Sequence, residues 1–285
     1  MESKSNKPLV VTVRSKDRSG LVADISKVIA GAKGNILDVG QHSDVETGIF
    51  GCRIEVEPDI NRPKLISKMK LMEEDDKSIQ WNLYEPGGIP KIVIACSTTQ
   101  HCLIDLLSRI SIGELECEVV GIVSDRIDCD ETAGRFNIPF TYIPVGDNRE
   151  SQEERFAEFL NISNSDLIVL ARYMRILPST VCEDWSGKMI NIHHSFLPAF
   201  VGANPYRRAH ERGVKLIGAT AHYVTAELDA GPIIVQEVEG VSHRDSLDDL
   251  VRRGADIERR TLSEAVRLHL EHRVMVFGNR TCIFD

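Results

Sequence analysis

The sequence predicts an α/β protein in two parts, a small N-terminal βαββαβ unit and a larger domain around an open, mostly parallel sheet of Rossmann type. Three observations carry that prediction. They are the order of strand and helix periodicities before Glu85, the stretch "EPGGIP" from Glu85 to Pro90, and the alternation of short apolar runs with helical stretches after it. A chain of 285 residues, 42% of them hydrophobic, has enough material for two ordinary cores.

The first part opens with "KPLVVTVRS", a β-rich run. In "DRSGLVADISKVIAGAKGN", Leu21, Ile25, Val28 and Ile29 recur at helical spacing, and Gly34 with Asn35 offers a stop. "NILDVGQHS" and "GIFGCRIEVE" read as strands, the second alternating through Cys52, Ile54 and Val56. A helix from Arg62 to Glu73 and a strand "SIQWNLY" complete a ferredoxin-like unit over residues 1–84. Two prolines around two glycines make residues 85–90 a linker.

From residue 91 to 285 the pattern changes. "KIVIAC", "CEVVGIVSD", "FTYIPV", "DLIVLAR" and "MINIHH" are short apolar strands separated by helical stretches, as a parallel sheet covered on both faces requires. "GATAHYV" and "GPIIVQEV" read as a late antiparallel pair, Asp245 to His269 as a long helix, and "VMVFGNRTCIF" as a hairpin turning at Gly278-Asn279. The first strand-to-helix turn, "ACSTTQHCLIDLL", has neither G-x-G-x-x-G nor a Walker A run, so it offers no glycine-rich cradle to a dinucleotide or nucleoside triphosphate. Ser97, Thr98 and Thr99 there read as helix caps.

A net charge of -9 and a pI near 5.5 argue against general nucleic-acid binding, which needs a clustered basic surface. The seven cysteines show no C-x-x-C pair and read as reduced, mostly buried thiols. "MESKSNKPLV" lacks the apolar core of a signal peptide and no apolar run approaches a membrane span, so a cytoplasmic protein is expected.

Polar residues interrupt one strand in "INIHHSFLPAFVGANP". Alternation places Asn191 and His193 on one face and Ile190 and Ile192 on the other. Leu197-Pro198 then turns the chain out of the sheet and Gly202 adds freedom to bend, so the polar pair sits near a strand's carboxyl end, where open α/β sheets bind ligands. Asp229 lies in the loop of "TAELDAGPII"; alone it reads as a turn residue. Together an amide, an imidazole and a carboxylate supply donors for a developing oxyanion and a group to manage protons, which is what addition to a carbonyl carbon needs. The adjacent residues His194 and Ser195 read as turn-stabilising and facing away, and His193 with His194 makes a poor metal site because neighbours on a strand point apart. No metal is expected.

The stretch "NIHHSFLPAFVGANPYRRAHERGVKLIGATAHYVTAELDAGPIIVQE" resembles the N-I-H-x-S-[LF]-L-P and L-D-x-G-P-I-I signatures of the formyltetrahydrofolate-dependent formyl-transfer superfamily. The resemblance implies Asn191, His193 and Asp229 as the catalytic trio. It also implies a folate pocket between the segment Met174, Arg175, Ile176, Leu177 and the loop Ala226, Glu227, Leu228, with support from His222, which read alone, alternating with Thr220, is equally a satisfied core histidine. "DRSGLVADISKVIAGAKGNI" resembles the D-x-x-G-L motif of ACT domains, and "HCLIDLL" and "GANPYRRAHERGVK" resemble the deformylase branch of the superfamily. What that branch implies is hydrolysis of 10-formyltetrahydrofolate to tetrahydrofolate and formate, with no separate cofactor, supplying formate for purine synthesis and balancing one-carbon pools.

The alternative is transfer of the formyl group to an amine acceptor such as glycinamide ribonucleotide. His194 stands where those transferases usually have Pro, and "STTQHC" departs from their phosphate loop. The ACT resemblance further implies a homo-oligomer and an amino-acid effector, glycine or methionine, bound near Asp17, Gly20, Leu21 and Asn35.

Overall fold

The computed structural model describes residues 7–146, 149–198 and 205–285. Two compact units are present, one of Met1–Gly88 with Glu271–Asp285 and the other of Ile89–Leu270.

In the first unit the strands are β1 (Leu9–Lys16), β2 (Ile36–Asp44), β3 (Ile49–Val56) and β4 (Gln80–Tyr84), ordered β2-β3-β1-β4 and antiparallel throughout. Helices α1 (Leu21–Gly31) and α2 (Arg62–Asp75) bury Leu21, Ile25, Ile29, Leu65 and Met69 against Leu9, Val11 and Val13 of the central strand. Asn61 caps α2 by accepting from the Lys64 N–H at 3.0 Å, and Pro63 in the first turn forfeits no helical bond.

The C-terminal hairpin, expected with the second domain, groups instead with the first. The cause lies in two glycines: a Cβ at Gly40 would lie 2.8 Å from Phe284, and one at Gly51 would lie 2.4 Å from Met275 and 2.5 Å from Phe277. Those bare backbones let the hairpin, β12 (Val274–Phe277) and β13 (Arg280–Ile283), lie on the sheet face. Arg280 ties it down through Asp44 at 2.9 Å, and Arg53 donates to the Glu271 carbonyl at 3.1 Å.

The second unit is a sheet ordered β11-β10-β9-β8-β5-β6-β7. Its strands are β5 (Lys91–Cys96), β6 (Glu118–Ser124), β7 (Phe140–Tyr142), β8 (Leu167–Ala171), β9 (Met189–His193), β10 (Leu216–Tyr223) and β11 (Ile233–Gly240). The first five run parallel; β10 is antiparallel to both its neighbours. The run "FTYIPV" pairs only as far as Tyr142, since Pro144 has no N–H to extend the ladder. Because β8 returns to the opposite side of β5 from β6, the strand order reverses between β5 and β8, and a crevice opens beyond their carboxyl ends. The helices are α3 (His101–Ser111), α4 (Cys129–Arg135), α5 (Arg149–Ile162), α6 (Ser179–Asp184), α7 (Pro205–Arg212) and α8 (Leu247–Leu270). Among the described residues no helix is long and apolar enough to cross a membrane.

Candidate active site

Asn191 and His193 stand at the carboxyl end of β9, facing β10 in the register Asn191↔His222 and His193↔Thr220. The two-residue strand period therefore brings Asn191, His193 and His222 to one place. Asp229 arrives from the loop between β10 and β11, in left-handed backbone with φ 57°. Gly231 permits that return: a Cβ there would meet the Tyr223 carbonyl oxygen at 1.8 Å.

The contacts fix the side chains in sequence. His222 Nδ1 lies 2.9 Å from the Tyr223 carbonyl, so Nδ1 carries the proton and Nε2 accepts from Asn191 Nδ2 at 3.2 Å. Burial lowers the His222 pKa and keeps this ring neutral, although Asp229 pulls the other way. Asn191 is thereby oriented as a donor, with its second Nδ2–H left for a ligand. His193 Nδ1 lies 3.2 Å from Asp229 Oδ2, while His193 Nε2 is buried with no hydrogen-bond partner among the described residues. A buried polar atom without a partner is costly, and a ligand would relieve it. Burial pushes the Asp229 carboxyl up, but the hydrogen bond from His193 and the electrostatic attraction of that ring outweigh it and hold the group below the ordinary carboxylate range.

A cavity of about 240 Å³ joins these groups. Met174, Arg175, Ile176, Leu177, Asn191, His193, His222, Glu227, Leu228 and Asp229 all line it, and of the residues assigned to this site from sequence only Ala226 does not. The Met174–Leu177 segment has no regular secondary structure, so its backbone groups are not committed to a helix or a sheet ladder. It is pinned from outside by residues that sequence reasoning missed or misassigned. Ser97 Oγ accepts from the Met174 N–H at 3.2 Å, and the buried Asp125 accepts from Arg175 Nε at 2.6 Å. The expected capping role fails: Gln100, not Ser97, Thr98 or Thr99, occupies the N-cap of α3, with no side-chain cap bond, because Ser97 and Thr99 turn toward the segment after β8.

His194, expected to face away, also lines the cavity, since β9 ends at His193 and strand alternation no longer governs it. At the turn the Ser195 backbone carbonyl accepts from Thr220 Oγ1 at 2.9 Å, and Thr220 Oγ1 in turn accepts from the Leu197 N–H at 3.0 Å. Gly202 lies outside the described residues. One group of potential metal ligands occurs among the described residues, His101, Cys102 and Glu258, with ligand atoms within 4.8 Å of one another; it does not include His193.

In the first unit, Gly20 caps α1 with φ 87° and open space around it, and Asp17 is exposed beside it, its N–H bound to the Gly48 carbonyl at 2.9 Å. Leu21 points into the core, 2% exposed, and so offers a ligand backbone only. The exposed Asn35 donates to Glu57 at 3.1 Å.

Comparison with known proteins bears on the same architecture. Residues 90–266 match the formyl transferase family and residues 4–59 the ACT domain family. A formyltetrahydrofolate deformylase from Synechocystis is 44% identical over 283 residues, covering 98% of this chain and 99% of that protein. The chain belongs to the formyltetrahydrofolate deformylase family. A crystal structure of the family's member from Pseudomonas syringae superposes with a TM-score of 0.95 at 38% identity, covering all of this chain and 96% of that one. By contrast, a glycinamide ribonucleotide transformylase from Symbiobacterium toebii reaches a TM-score of 0.67 and covers 72% of this chain. The N-terminal ACT domain is thus part of what the family has in common with this chain along its whole length.

Proposed function

We infer that this protein hydrolyses 10-formyltetrahydrofolate to tetrahydrofolate and formate. The observation that carries the reading is the buried, unpartnered His193 Nε2, set by Asp229 on its other nitrogen and lining the same cavity as Asn191. The pteridine rests against the Met174–Leu177 backbone and the Glu227–Leu228 loop, which places the formyl group beside Asn191 and His193. Water attacks the formyl carbon. Asn191 Nδ2–H and His193 Nε2, donating as imidazolium, receive the developing oxyanion. Asp229 orients the water, takes its proton and passes it toward N10, and its carboxylate stabilises the imidazolium.

The formate released feeds purine synthesis and balances one-carbon pools, in a cytoplasmic enzyme with reduced thiols. Its ACT domain pairs with that of another subunit and binds glycine or methionine around Asp17, Gly20 and the exposed Asn35. Purified protein given 10-formyltetrahydrofolate and no amine acceptor should release formate stoichiometrically with tetrahydrofolate; a strict requirement for an amine would overturn the reading in favour of formyl transfer.

A further inference from the structure

A second polar cluster lies beside the catalytic groups. Glu258, in the middle of α8 and 1% exposed, accepts from the Tyr206 hydroxyl of α7 at 2.6 Å and meets His101 Nε2 of α3 at 2.9 Å. Arg172 Nε completes it, 3.4 Å from Glu258 Oε2. Burial pushes the Glu258 carboxyl up, yet His101, Arg172 and Tyr206 together hold it below its ordinary value, so the cluster contains a fixed buried anion. It is a built feature: one turn before Glu258, a Cβ at Gly254 would sit 2.1 Å from the Tyr206 ring, so glycine there admits the phenol. The carboxylate is engaged by a guanidinium, which disfavours a cation at the same place.

Arg172 is the member that reaches the active site. It is the first residue after β8, it lines the cavity with Asn191, His193 and Asp229, and it holds left-handed backbone at φ 64°, where glycine would be at ease and arginine is not. Strain of this kind persists where neighbouring structure enforces it, and here Glu258 and Thr99 grip the Nε side of the guanidinium. Its terminal nitrogens have no hydrogen bond among the described residues. A guanidinium set this way presents a planar pair of donors suited to a carboxylate.

The reaction creates one. Resting on the hydrolytic reading above, the C–N10 bond breaks, a C–O bond forms to the water oxygen, one water proton goes to N10, and the formic acid formed releases its proton to leave formate. That anion appears in a cavity where ionised Asp229 is already paired with His193, so a second cation is what would offset the charge of formate. We propose that Arg172 is the formate-recognising residue of this cavity, and that Glu258, with His101 and Tyr206, is its positioning residue.

Product inhibition tests this. Formate is titrated against deformylation by the full-length protein, with sodium chloride at matched ionic strength as the control. Arg172→Gly suits the φ of 64° and removes the guanidinium without adding backbone strain. Its inhibition constant for formate should rise about tenfold or more, as loss of a charged hydrogen bond implies. Added guanidinium ion should restore formate sensitivity to Arg172→Gly and leave wild type unchanged, a rescue that a purely structural role would not show. Glu258→Gln should weaken formate inhibition less than Arg172→Gly does. Tetrahydrofolate binding serves as the check that each variant keeps its pocket. If Arg172→Gly binds tetrahydrofolate and is inhibited by formate as wild type is, the assignment of Arg172 is wrong. If wild type itself neither binds tetrahydrofolate nor releases formate, the hydrolytic reading fails instead.

Discussion

Asp229→Asn is the most informative single change in the catalytic trio. The substitution keeps the side chain's shape, and asparagine tolerates the left-handed backbone that Asp229 adopts at φ 57°. Alanine would add roughly 1 kcal/mol of backbone cost at that φ and confuse the result. What the amide loses is the negative charge 3.2 Å from His193 Nδ1 and the ability to take a proton from water. A hydrogen bond to a charged group contributes about 1.5–3 kcal/mol, which is about a 10- to 150-fold change in rate. Loss of a positioned proton acceptor alone costs about 10²- to 10⁴-fold. Both effects act through one carboxylate, so they overlap, and kcat should fall by at least about 100-fold with little change in KM.

Steady-state deformylation at neutral pH, with circular dichroism to confirm folding, measures this. A folded Asp229→Asn protein whose kcat stays within about tenfold of wild type would refute the role given to Asp229. Stability offers a second check. The folded pKa of Asp229 is depressed, so its stabilising contribution is present above the unfolded value of about 3.9 and disappears as pH falls through the folded value. The stability gap between wild type and Asp229→Asn should therefore narrow below about pH 4.

Asn191→Ala should lower turnover by about 100-fold or more while the protein stays folded, because it removes an oriented oxyanion donor; near wild-type turnover would exclude that role. Hydrogen exchange on adding tetrahydrofolate should show protection at both Met174–Leu177 and Glu227–Asp229, whereas protection confined to the N-terminal unit would contradict the pocket assignment. Gly254→Ala forces a methyl group against the Tyr206 ring, and thermal or urea unfolding should show a loss of about 1–3 kcal/mol despite alanine's better helix propensity. Calorimetric titration of glycine and methionine, with and without bound folate, should show binding that shifts by the same factor in both directions; no heat from either amino acid would leave the ACT domain without these effectors.

Several features were legible because they are local. The two-residue strand period alone puts Asn191 and His193 on one face, and the order of periodicities before Glu85 gives the four-stranded unit. The absence of a glycine-rich loop after β5 is likewise a direct reading, and the motifs that carry the family resemblance are short and continuous. Even Asp229, which looks like a turn residue by itself, becomes a candidate once the neighbouring motif is read with it. The carboxyl-end placement of the site follows from parallel strands as a class.

Only the tertiary structure decided which remote residues meet. Ser97, Asp125, His101, Tyr206 and Glu258 have no shared periodicity with Arg172 or Met174; they converge because β8 lies on the far side of β5 from β6 and α8 packs across the sheet. The hairpin after α8 reads locally as a hairpin, but its place depends on missing side chains at Gly40 and Gly51, far away in the chain. Sequence periodicity records which face a residue takes on its own element. Which other element covers that face depends on strand order, and the enclosure that results sets whether a buried carboxylate such as Glu258 becomes a fixed anion or an uncompensated charge.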